Sequence, residues 1–85
     1  MELSIEEQIG IIERQINDWR RVAFNAETAH KVHTKLESPK DRLEEFVGAM
    51  IQAEKAITFL MEMRNRLLEE VSQYHGDGQI PKLPA

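Results

Sequence analysis

The chain has 85 residues, 41% of them hydrophobic and 31% charged, with a formal net charge of −4 and no cysteine. That bounds it to one small domain with enough apolar residues to fold, and excludes disulfide bridges and thiolate metal sites as supports. The negative balance disfavours general nucleic-acid affinity.

Met1-Glu2-Leu3-Ser4-Ile5-Glu6-Glu7 lacks the basic start and apolar core of a signal peptide, and no apolar run nears the ~20 residues of a membrane span. A soluble, cytoplasmic protein is expected. The first helix opens at Ser4, with Glu7 three residues later completing a capping-box pattern. Apolar residues then recur at spacings of four and three through Ile5, Ile9, Ile12, Ile16, Trp19, Ala23 and Ala26, and the stripe continues through His30 and His33. That alternation holds side chains on one helix face and predicts a seam for a second helix. The helix is expected over residues 4–37, with Gly10 on its outer face.

Ser38-Pro39 breaks the pattern, because proline disfavours helical geometry in the residue before it and suits the first position of a new helix. Ser38 is expected to cap the second helix, with Asp41 near its positive end. The second stripe reads Leu43, Phe46, Met50, Ala53, Ile57, Leu60, Arg64, Leu67, Val71, Tyr74, predicting a helix over 39–75. Gly76 is expected to end it in a left-handed cap, leaving 76–85 as an extended tail. Two long helices with a turn at 38–39 make an all-α antiparallel hairpin, residues 1–75.

The apolar surface is wider than one seam. Ile11 and Phe24 lie off the first stripe, and Phe59 and Met63 off the second. Leaving large apolar side chains in water forfeits about 1.5–3 kcal/mol each, so these four mark an expected interface between copies in a homo-oligomeric helix bundle. Arg64 interrupts the second seam and should lie near Ile12, with Glu13 or a carboxylate from another subunit as its partner.

Charge is unevenly distributed. Residues 1–19 hold five acids and one base, whereas residues 20–42 hold six bases and three acids. Arg20, Arg21, His30, Lys31, His33 and Lys35 are candidate ligands for a small phosphate-bearing molecule such as a nucleotide, between subunits. Polynucleotide binding is disfavoured, since aromatic residues do not interleave with this group. Glu27-Thr28-Ala29-His30, followed by His33 and Glu37, offers a Glu-x-x-His pattern of the kind used in metal-binding four-helix bundles. Chance occurrence in a glutamate-rich chain is the stronger reading, and neither a metal nor another cofactor is expected.

Catalysis finds no support, because there is no glycine-rich phosphate loop and no nucleophile with an obvious base. The sequence points to a non-enzymatic hairpin that acts by protein–protein interaction, as an adaptor, inhibitor or assembly element. Binding of an anionic ligand is the second reading and a metal-binding bundle the third.

Overall fold

A computed structural model describes residues 2–78, with side chains described through residue 72. Two helices, α1 (Ile5–Lys35) and α2 (Lys40–Gly78), pack along one another as a hairpin, and among the described residues there is no strand. No described helix is long and apolar enough to cross a membrane. At about 1.5 Å per residue, the 31 residues of α1 make a rod of roughly 46 Å.

The start of α1 follows the sequence closely. Ser4 adopts extended geometry, and its hydroxyl accepts from the Glu7 amide at 3.1 Å. The Ser4 amide donates in return to Glu7 Oε1 at 2.9 Å. Two amides that the helix cannot satisfy are thereby paired, and Glu6 and Glu7 place negative charge at the positive end.

The turn is built differently from expectation. α1 ends in a Schellman motif: the Glu37 amide donates to the Thr34 carbonyl at 3.1 Å, and the Ser38 amide to the His33 carbonyl at 2.9 Å. This geometry requires a left-handed residue, and Glu37 takes it with φ 57°. The connection therefore spans 36–39 rather than 38–39.

Ser38 does not cap α2. Its hydroxyl is hydrogen-bonded to His33 Nδ1 at 2.8 Å, because the chain reversal returns it beside the last turn of α1. The Pro39 carbonyl instead accepts the first amides of the second helix, from Arg42 at 3.0 Å and Leu43 at 3.2 Å. α2 also runs past its expected end. Residues 76–78 are helical rather than extended, and no described glycine has a positive φ. Glycine permits a left-handed stop without imposing one, and its cost inside a helix is only about 1 kcal/mol. The remaining tail, 79–85, lies outside the described residues.

The core is a single line of side chains. Ile12, Ile16, Ala26, Ala53 and Leu60 are buried, and all five lie on the two predicted stripes. Trp19, Ile57, Met61, Met63 and Leu67 pack partly buried against the cluster of Ile12, Ile16 and Leu60. Near the turn, the His33 and Phe46 rings meet with centroids 5.0 Å apart at a 38° tilt, closing that end of the seam. A two-helix unit has only one line along which both helices can hide side chains. The thin core follows from that geometry.

Candidate binding surfaces

Three of the four expected interface residues come together. Ile11 from α1 and Phe59 and Met63 from α2 line one open groove of about 470 Å³, with Leu3, Trp19 and Ala56. The helical spacing places them there: Ala56, Phe59 and Met63 lie on one stripe of α2, adjacent to the seam. On α1, Ile11 and Gln15 flank the seam on the same side. Phe59 is 58% exposed and Leu3 47% exposed. The groove's polar lining is limited to Gln8 and Gln15, and Gln8 Nε2 donates to the Leu3 carbonyl at 3.0 Å. Nothing here can perform acid–base chemistry. What the groove can do is shed water.

Phe24 stands apart from it. It is 69% exposed on another face of α1, where it lines a shallow depression with Asn17, Arg20, Arg21, Asn25 and Thr28.

The six candidate ligand residues do not form one cluster. Arg20 and Arg21 share the depression beside Phe24. Lys31 pairs with Glu27 at 3.5 Å one helical turn earlier. His33 is committed to Phe46 and Ser38, at the turn. His30 is half-buried, and its carbonyl accepts from the Thr34 hydroxyl at 2.7 Å. Lys35 is exposed in the last turn of α1. Among the described residues, no three histidine or carboxylate side chains converge as metal ligands, so Glu27, His30, His33 and Glu37 do not assemble a site.

Arg64 lies where the sequence placed it, with Nη1 3.8 Å from Glu13 Oε2. Its Nε is buried without a hydrogen-bond partner. Glu13, Ile16, Asn17, Arg20 and Arg64 border a polar notch of about 220 Å³ there.

The groove residues that the sequence did not single out are Leu3, Gln8 and Gln15. For Gln8 and Gln15 the signal is the same four-and-three spacing displaced by one position from the seam, shared with Ile11, whereas Leu3 precedes the helix and has none. No family model, curated protein or solved structure matches the chain.

Proposed function

We propose that this chain is a self-associating helical hairpin that acts by binding protein, with no chemistry of its own. The observation that carries the reading is the groove of Ile11, Phe59 and Met63, a contiguous apolar surface beside a core of few buried side chains. Such a surface on a small chain usually marks an association site. Pairing two hairpins through it gives a four-helix bundle and doubles the number of shielded stripes. A cytoplasmic adaptor, inhibitor or assembly element is the biological role this physics fits.

The test is the solution mass by sedimentation equilibrium, for the wild type and for Phe59→Ser. The expected result is a wild-type multimer and a predominantly monomeric, still helical variant. A wild type that stays monomeric at high concentration overturns the reading.

A second reading has its own observation. Arg20 and Arg21 line one depression with the exposed Phe24 ring, a combination that can hold a phosphate and stack a planar group. A nucleotide panel in a thermal-shift assay tests it. A shift that disappears in Arg20→Ala/Arg21→Ala supports nucleotide binding, and no shift across the panel refutes it.

A further inference from the structure

We infer that a phosphate-bearing ligand seats its phosphoryl group in the polar notch between α1 and α2, held by Arg20 and Arg64, with its planar group over Phe24. The inference rests on the nucleotide reading above. It adds where the phosphate sits and a second helix's arginine to hold it, which that reading leaves open.

The notch and the depression beside Phe24 share a wall, because Asn17 and Arg20 border both. Residues three and four apart meet on a helix surface, so Glu13, Arg20 and Arg21 surround Asn17, and Phe24 adjoins Arg20. Arg64 reaches the same place from α2, at the level of Glu13. One strip of surface therefore runs from Arg64 across Arg20 to Phe24.

Size divides that strip into two roles. The notch is about 220 Å³, below the roughly 300–1,000 Å³ of sites that hold a whole small ligand, whereas the depression is about 710 Å³. The smaller space suits one compact group, and the larger suits the body attached to it. Phe24 lies one helical turn, ~6 Å, beyond Arg20 along the axis, which leaves room for a sugar between phosphate and base.

Charge selects the sign of the compact group. Ion pairs among the described residues engage Lys31, Arg42 and Arg64, and none engages Arg20 or Arg21. The Arg64 pair is loose: at 3.8 Å, Nη1 and Glu13 Oε2 are beyond hydrogen-bonding distance. Its Nε is buried, so the Nη end is the part of the guanidinium that borders the notch. Two arginines from different helices can each turn a planar fork of donors towards one phosphate. Glu13 is the one carboxylate lining the notch, and its side chain is 55% exposed, so it can swing into water when an anion arrives.

Calorimetric titration of the full chain with nucleoside monophosphates, and with the matching nucleosides, tests this. The expected result is that a monophosphate binds about tenfold or more tighter than its nucleoside, and that Arg64→Met erases the difference by removing a charge-assisted contact. Glu13→Gln should tighten monophosphate binding severalfold, since it removes the competing carboxylate. Mere loss of structure cannot imitate that direction, and circular dichroism checks the helicity of both variants. Unchanged monophosphate binding in Arg64→Met, or weaker binding in Glu13→Gln, overturns the phosphate seat while leaving the reading at Arg20, Arg21 and Phe24 in place. No binding of any monophosphate to the unmodified chain removes that reading, and this inference with it.

Discussion

Replacing Arg64 with methionine should stabilise the protein, although it removes an ion pair. The guanidinium interrupts an otherwise apolar seam, its side chain is only 27% exposed, and its buried Nε has no partner. An orphaned buried donor costs about 1–3 kcal/mol. Against this stands the contact with Glu13, at 3.8 Å and with the carboxylate side chain 55% exposed. Such a pair contributes about 0.5 kcal/mol or less after solvent screening. Methionine keeps the length, fills the same space with apolar surface and brings no unmet donor. It also leaves Arg20 as the only cation bordering the notch. The balance is a gain of about 1–2 kcal/mol, which raises Tm by roughly 4–16 °C for a domain of this size. Thermal and urea melts at fixed protein concentration measure it. A double-mutant cycle with Glu13→Gln should return a coupling near 0.5 kcal/mol. A loss of 1 kcal/mol or more in Arg64→Met, or a coupling above about 2 kcal/mol, would refute the reasoning by showing the charge to be strongly partnered.

Glu37→Gly should stabilise by about 0.5–1 kcal/mol in urea melts. Glycine removes a left-handed penalty of about 1–2 kcal/mol and gives part of it back as unfolded-chain entropy. Gly10→Ala should add about 1 kcal/mol in the same assay, because among the described residues nothing beyond the local helix backbone lies within 4 Å of the added methyl, and alanine is the better helix former. Ser4→Ala should cost about 1 kcal/mol, with amide exchange at Glu7 accelerating as its partner disappears.

The seam was legible because burial along a helix leaves a periodic trace. Ile12, Ile16, Ala26, Ala53 and Leu60 were all on the predicted stripes, and so was the level at which Arg64 meets Glu13. The turn was less legible, since several polar groups compete for the same few amides. Ser38 followed by proline has the composition of a helix cap, yet His33, five residues earlier, takes the hydroxyl once the chain reverses. Glu37 gave no signal, because a left-handed residue that is not glycine is held by the surrounding turn rather than by its own preference.

The groove was readable only in part. Off-stripe Ile11, Phe59 and Met63 pointed to it, but Phe24, equally off-stripe, lies elsewhere. Spacing gives a side chain's angle about its own helix; which neighbours share that side depends on how the two helices are rotated against each other. The basic group failed to cluster for the same reason. Its members fall in two stretches of α1, 20–21 and 30–35, point around the helix, and in part find local partners.

The proposed self-association would couple folding to assembly, and the melting temperature of the unmodified chain at different concentrations tests that most directly. At about 0.7 kcal/mol of unfolding enthalpy per residue near 60 °C, a dimer of this chain should gain about 8 °C in Tm for a hundredfold rise in concentration, by mass action. A midpoint that stays fixed across that range, with full helicity at the dilute end, would mean that one hairpin stands alone and would contradict the account.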